Sequence, residues 1–217
     1  MNKIVIASMI VASVMASLAG CGSKPVQPEW KASAAGSLKS FSQFYLKGDT
    51  GAAESEFKRA RIDMASTGRP DLVAHAELYR CATRVASLEY DHCPGFEALA
   101  QDATAAERAY AAYLAGNWQN LNAALLPEQH RAIVQGKGGI AAIADPLSQL
   151  VAAGVLMKTA AISPADIKIA TETASGQGWR RPLLMWLGVA HKRAGEAGDL
   201  AEAARIQRRI DLALPAK

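Results

Sequence analysis

Three observations on the sequence predict an all-α protein. Strand signals, which are alternating runs of β-branched and aromatic residues closed by turn pairs, do not occur at useful length after residue 30. Apolar residues recur instead at helical spacing, three, four and seven positions apart. Breaks rich in glycine and proline separate these segments at intervals of about one helix length.

The apolar residues form a stripe along one face of each predicted helix. Four clear stripes begin at Ala53, Leu78, Leu183 and Ala203. Because one face of each helix is apolar, that face must be buried against a neighbouring helix.

The breaks divide the chain into nine predicted helices. They span 29–47, 50–66, 70–90, 103–115, 118–134, 145–161, 164–175, 180–195 and 199–213. The seventh has a strong start signal, in which Ser163 caps the helix, Pro164 fits its first turn and Asp166 favours its positive end. Because the connections are short, neighbouring helices should be antiparallel and form hairpins.

The helix over 145–161 is apolar on a broad face, unlike the others. Asp145 and Lys158 confine its uncharged run to about a dozen residues, which is too short to cross a membrane. We therefore predict a central, largely buried helix. Gly154 would allow another helix to cross it closely.

A short segment recurs along the chain. Tyr45–Asp49 (Tyr-Leu-Lys-Gly-Asp) returns as Tyr113–Asn117 (Tyr-Leu-Ala-Gly-Asn), 68 residues later, which is twice the period of 34. Around the first copy, aromatic, glycine, alanine and proline residues, including Phe57, Ala60 and Pro70, lie near the positions that these residue types occupy in tetratricopeptide repeats. The chain resembles this family over about 40 residues.

The resemblance implies stacked hairpins that present a concave binding surface. We expect one helical domain over 29–217, repeat-like over 38–115 and more irregular over 118–217. An irregular helical bundle is the alternative architecture. The binding surface is expected on the inner helices between about 38 and 115.

The N-terminus has the layout of a secretory signal. Lys3 precedes an apolar run from Ile4 to Ala16, and small residues follow before Cys21. The sequence Leu-Ala-Gly-Cys at 18–21 resembles the lipobox of bacterial lipoproteins. A plain secretory signal is the alternative.

The lipoprotein resemblance implies a signal peptide over 1–20 and a diacylglycerol on the Cys21 thiol. The new amine would carry a further fatty acid such as palmitate. Residues 21–28 read as an extended tether between lipid and domain. In this family an aspartate at the second mature position retains the protein in the inner membrane, and Gly22 stands there. The prediction is a protein of the cell envelope, anchored in the outer membrane on its periplasmic face.

Charge is nearly balanced in the mature chain. Lysine and arginine number 24 and aspartate and glutamate 20, and Lys3 is lost with the signal. The basic cluster of Arg205, Arg208 and Arg209 is explained by a solvated helix face, so we predict no nucleic-acid partner.

Two cysteines, Cys81 and Cys93, remain after lipidation. In an oxidising compartment two thiols usually pair, so we predict a disulfide between them. Two separate thiols are one alternative. A metal site that adds Asp91 and His92 is another, although the spacing matches no zinc pattern.

The sequence shows no catalytic motif, and we predict no catalytic residue, cofactor or metal. The four histidines lack ligand spacing, and nucleophile motifs such as G-x-S-x-G are missing. Trp118 and Trp179 follow glycine breaks, where they would cover hairpin ends or line a ligand groove.

Three classes of function follow. The first is a membrane-anchored helical module that binds another envelope protein. The second is a lipoprotein that binds a small molecule between aromatic side chains, and the third is an envelope enzyme. A pocket with aromatic walls would favour the second class, and a long open groove would favour the first. We expect the first class and no enzyme activity.

Overall fold

The computed structural model describes residues 28–215, and this part of the chain is all-α, as predicted. It contains ten α-helices, two short 3₁₀ turns and no strand. The helices are α1 (Glu29–Lys47), α2 (Thr50–Ala65), α3 (Pro70–Ala86), α4 (Pro94–Glu97), α5 (Ala105–Ala115), α6 (Glu128–Val134), α7 (Pro146–Lys158), α8 (Pro164–Gly176), α9 (Arg180–Glu196) and α10 (Leu200–Ala213). The 3₁₀ turns are Ala123–Leu125 and Ile140–Ala142.

Helices α1 and α2 form the first hairpin. The turn between them is tight because Gly48 adopts a left-handed conformation with φ 96°, and the Asp49 side chain accepts the Ala52 N–H to cap α2. Phe41 and Phe57 pack across the hairpin with ring centroids 5.3 Å apart. Both rings are buried, so the stripe predicted on α2 faces α1.

Helix α3 lies between two cores. Val73 and Ala76 belong to the core of the first hairpin, whereas Leu78 and Val85 belong to the larger central core. Helix α3 therefore joins the core of the first hairpin to the central core.

Helix α7 lies at the centre of the larger core and packs against α3, α5, α6 and α8. Every residue from Leu150 to Val155 is buried. At Gly154, a Cβ atom would lie 2.2 Å from the Val85 carbonyl oxygen of α3. The structure therefore confirms both the buried central helix and the close crossing at Gly154.

Helices α9 and α10 form the last hairpin, and α8 packs against α9. The N-terminal half of α9 contacts the C-terminal ends of α1 and α3. The Trp186 Nε1–H donates to the Ala86 carbonyl at 3.2 Å, and the Arg181 Nε–H donates to the Tyr45 carbonyl at 2.8 Å.

The recurring segment ends a helix in the same way in both copies. Gly48 and Gly116 are left-handed, with φ of 96° and 79°, and each donates its N–H to the carbonyl of the tyrosine three residues earlier. Both tyrosines, Tyr45 and Tyr113, are buried. The repeated sequence therefore encodes a shared helix C-cap, while the family resemblance stays a prediction.

The predicted helix over 118–134 is wrong in its first half. Only Glu128–Val134 is helical, and the residues before it form turns with a left-handed Asn120 and a 3₁₀ turn. Leu126 is extended, with φ −76° and ψ 155°, because the following proline disfavours the helical conformation at that residue.

Two further helices end earlier than predicted. Helix α3 stops at Ala86 rather than 90, and α7 stops at Lys158 rather than 161. A left-handed residue follows each end, Leu88 with φ 57° and Ala160 with φ 56°. Neither is glycine, which is why these ends gave no signal in the sequence.

Candidate functional site

A cleft of about 590 Å³ opens between α3, α5, α7 and the turn before α6. We call it the tyrosine cleft, after Tyr79 of α3 and Tyr110 of α5. Its floor is apolar and includes Leu78, Ala82 and Val151. The other lining residues are His75, Ala106, Glu107, Leu125, Leu126, Pro127, Gln129, Asp145, Leu147 and Ser148.

The two tyrosine rings are held by their neighbours. The Tyr79 hydroxyl donates to the Ser42 Oγ at 3.0 Å, which ties the ring to α1. The Tyr110 ring stacks on Tyr113, with centroids 6.0 Å apart, and on His130 at 5.9 Å. Both rings are therefore positioned before any ligand arrives.

Behind Tyr110 lies a buried aromatic cluster. The Tyr113 hydroxyl and the His130 Nδ1 are 3.2 Å apart, and Trp118 stacks on Tyr113 at 6.1 Å. Burial lowers the pKa of His130 from 6.5 to about 4, so this histidine is neutral at pH 7. A neutral imidazole beside a tyrosine hydroxyl supports the cleft wall without adding charge.

The cleft carries two carboxylates. Asp145 caps α7 by accepting the Ser148 N–H at 2.7 Å, and Glu107 completes a capping box with Thr104 on α5. Burial raises the pKa of Tyr110, and the neighbouring Tyr79 and Asp145 add to the increase.

A second, smaller cavity of about 320 Å³ lies between α8, α9 and α10, and we call it the basic groove. Its floor includes Leu187 and Ile206, which are buried. Glu172 of α8 and Arg209 of α10 form an ion pair across it, at 3.2 Å. Its other charged residues are Lys168, Arg193, Glu202 and Arg205.

The predicted cysteine pair lies at disulfide distance. The Cα atoms of Cys81 and Cys93 are 5.8 Å apart, and the chain doubles back over 12 residues to bring them together. Asp91 accepts the Cys93 N–H at 2.9 Å and lies 3.8 Å from the Cys81 sulfur. Of the four residues of the alternative metal set, these three come together, and His92 is exposed outside the group.

Of the two tryptophans that follow glycine breaks, Trp179 lies at the turn of the α8–α9 hairpin, whereas Trp118 follows α5 at the start of an irregular segment. Trp118 donates its Nε1–H to the Tyr113 carbonyl at 3.4 Å, and Trp179 is buried with its Nε1–H 3.4 Å from Gln43. Neither lines the tyrosine cleft.

Sequence analysis missed the residues that line the cleft. Tyr79 and Tyr110 carry no motif, and Glu107 and Asp145 have the appearance of ordinary caps or solvated charges. One usable signal exists, because Tyr79 directly follows Leu78 of an apolar stripe and so lies at the edge of the buried face. The cleft also extends beyond the expected surface between 38 and 115, since α7 forms one of its walls.

The predicted lipidation site, Cys21, lies outside the described residues, as do the signal over 1–20 and nearly all of the tether over 21–28. Within residues 28–215, no helix is both long enough and apolar enough to cross a membrane.

Comparison of the chain with protein-family models, curated proteins and solved structures found no match.

Proposed function

We propose that the protein is a lipid-anchored binding protein of the bacterial cell envelope that recognises a partner protein through the tyrosine cleft. One observation carries the proposal: the largest cavity described is open to solvent between helices and has an apolar floor. Its aromatic walls are the feature expected of a small-molecule site, and they support the second candidate given below. Protein interfaces are enriched in tyrosine because the ring supplies a large contact area with little loss of conformational entropy.

The state of the carboxylates supports binding over catalysis. Asp145 accepts the Ser148 N–H and Glu107 accepts the Thr104 N–H, each at a helix start, so each holds its helix in place. This capping role requires no proton exchange with a substrate, which a general acid or base has to perform, so we propose binding rather than catalysis.

The anchor supports an envelope partner. Acyl chains on Cys21 would hold the domain at the membrane, where a high local concentration lets weak contacts suffice. We propose the outer membrane, periplasmic face, on the basis of Gly22. The mature protein should begin at Cys21 with added lipid mass, and Cys21→Ala should leave an unprocessed or soluble product. Mature protein that begins at Cys21 without lipid would contradict this.

In that compartment we propose that Cys81 and Cys93 are oxidised to a disulfide. The bond would close a short loop and stabilise the fold by roughly 2–3 kcal/mol. Peptide mapping of protein taken from the envelope, without reducing agent, should recover the two peptides joined. Two free thiols would contradict it.

Photo-crosslinking in living cells tests the cleft itself. A photoreactive amino acid replaces Leu125, which is 38% exposed and lines the cleft, and Leu212, which is 87% exposed on α10, is the control position. We expect the photoreactive residue at position 125 to give one crosslinked adduct with the partner. This adduct should disappear when Tyr110→Leu is added, and position 212 should give no adduct of the same mass. An adduct from position 125 that survives Tyr110→Leu would refute the proposal.

A small organic ligand is the second candidate. The cleft volume of about 590 Å³ falls within the range of small-molecule sites, which is roughly 300–1,000 Å³. Native mass spectrometry of the purified full chain decides between the two. A stoichiometric small molecule that is lost with Tyr110→Leu would favour this candidate.

A further inference from the structure

We infer that the tyrosine cleft binds a cationic side chain, lysine or arginine, presented by the partner. The inference rests on the proposed function and names the chemistry of the group that enters the cleft.

The first argument is the charge of the lining. Two carboxylates, Glu107 and Asp145, line the cleft, and no lysine or arginine does. Two arginines near the cleft in sequence are held by backbone carbonyls, since Arg108 donates to the Ala103 carbonyl and Arg131 donates to the Leu126 carbonyl at 2.9 Å. The remaining titratable side chains of the lining are His75 and the two tyrosines. The formal charge of the lining residues is therefore negative.

The second argument is that both carboxylates are fixed in place and keep an oxygen for a ligand. Asp145 Oδ2 accepts the Ser148 N–H, and Glu107 Oε2 accepts both the N–H and the hydroxyl of Thr104. The other oxygen of each carboxylate accepts no hydrogen bond from the residues the structure describes. A cation that enters would meet oriented acceptors and impose no further ordering on them.

The third argument is the aromatic walls. A cation over a tyrosine face is stabilised by the ring quadrupole, more strongly where water is partly excluded. Elsewhere in the domain, Arg181 lies 4.1 Å above the Tyr45 ring and Lys158 lies 5.5 Å from the Tyr90 ring. Among residues 28–215 no lysine or arginine lies over Tyr79 or Tyr110, and both residues line the cleft, where a cation from outside can reach them.

The basic groove is a contrasting site within the same domain. It carries four cationic side chains, Lys168, Arg193, Arg205 and Arg209, against two carboxylates. A basic segment of the partner is repelled there and attracted at the tyrosine cleft, so charge directs it to one of the two cavities.

The test uses a pair of probes of nearly the same shape, one cationic and one neutral. N-acetyl-arginine methylamide is titrated into the full chain, purified in detergent and labelled with 3-fluorotyrosine. N-acetyl-citrulline methylamide is the neutral control of nearly the same shape. The chain has five tyrosines, and Tyr79→Phe and Tyr110→Phe assign two of the fluorine resonances.

We expect the arginine probe to shift the Tyr79 and Tyr110 resonances and to bind at least fivefold more tightly than the citrulline probe. Glu107→Gln should weaken arginine binding about threefold and leave citrulline binding unchanged. Glu172→Gln, in the basic groove, is the matched control and should change neither. Circular dichroism confirms that each variant is folded.

Equal binding of the two probes, or no shift of either resonance by the arginine probe, overturns the inference. The crosslinking experiment separates this failure from failure of the proposed function. If position 125 still yields its Tyr110-dependent adduct, the partner uses the cleft without a cation. If the arginine probe binds and position 125 yields no adduct, the site chemistry stands and the proposed function fails.

Discussion

Helix α7 and helix α10 are similar in length but lie in opposite surroundings. In α7 the residues from Leu150 to Val155 are all buried, whereas only Ala203 and Ile206 of α10 are buried. Helix α7 touches four other helices, and α10 packs mainly on its hairpin partner α9. Stability is therefore concentrated at the α3–α7 crossing, while α10 is peripheral and is joined to the central core through α9, whose Trp186 is buried there.

A methyl group at the crossing should have the largest effect. In Gly154→Ala the new Cβ would lie 2.2 Å from the Val85 carbonyl oxygen, so the backbones of α3 and α7 must separate. We expect the free energy of unfolding to fall by about 3 kcal/mol or more, measured by urea denaturation.

Gly188→Ala on α9 is the matched control for this change. Nothing lies within 4 Å of its Cβ position, so the substitution should raise stability by up to about 1 kcal/mol through helix propensity. If both variants lose the same stability, the crossing is not the critical contact.

Acid should weaken the central core through His130. Burial lowers the pKa of this histidine from 6.5 to about 4, so between these values the unfolded chain binds a proton that the folded chain does not. Burial of His130 therefore costs no stability above pH 6.5. As the pH falls from 6.5 towards 4, the free energy of unfolding decreases by about 3 kcal/mol.

Urea denaturation at pH 7 and pH 4.5 measures the effect of His130. His130→Gln should lose most of this pH-dependent difference, and His92→Gln, at an exposed position, should keep it. A pH dependence that persists unchanged in His130→Gln would contradict the assignment.

The next largest effect on stability is expected where Arg181 of α9 contacts the first hairpin, a contact that we call the joint. Arg181 donates to the Tyr45 carbonyl at 2.8 Å, to Glu89 at 3.2 Å and to Thr50 at 2.6 Å. Arg181→Ala should lower the free energy of unfolding by about 2 kcal/mol, because the buried carbonyl and the carboxylate lose a charged donor.

Lys192→Ala removes an exposed ion pair on the same helix, α9, and serves as the control for the joint. It should change stability by less than about 0.5 kcal/mol. Equal effects of the two substitutions would show that the hairpin is held by apolar packing alone.

The smallest effect is expected at the surface of α10. Leu212 is 87% exposed, so Leu212→Ala should change stability by at most about 0.5 kcal/mol. Ile206→Ala, at a position 4% exposed, should cost about 2 kcal/mol or more. Thermal unfolding monitored by circular dichroism compares the two. A large loss for Leu212→Ala would show that α10 has a further packed face.

Most helices were predictable because the signals that define them are local. Ser163 caps its helix as predicted, with Asp166 completing a capping box, and Gly48 and Gly116 end their helices as left-handed residues. The segment before Pro127 was misjudged because its apolar residues have helical spacing while the proline restricts Leu126.

The sequence alone therefore determined the helical class, most helix positions and the burial of α7, since caps and periodicity act within one or two helical turns. Tertiary structure alone decided the tyrosine cleft, in which Tyr79, Tyr110 and Asp145 converge from three helices or their caps. It also decided the burial of His130 and the contact of Gly154 with Val85. The reason is physical: where one helix packs on another depends on side-chain fit across the whole core, which no local pattern contains.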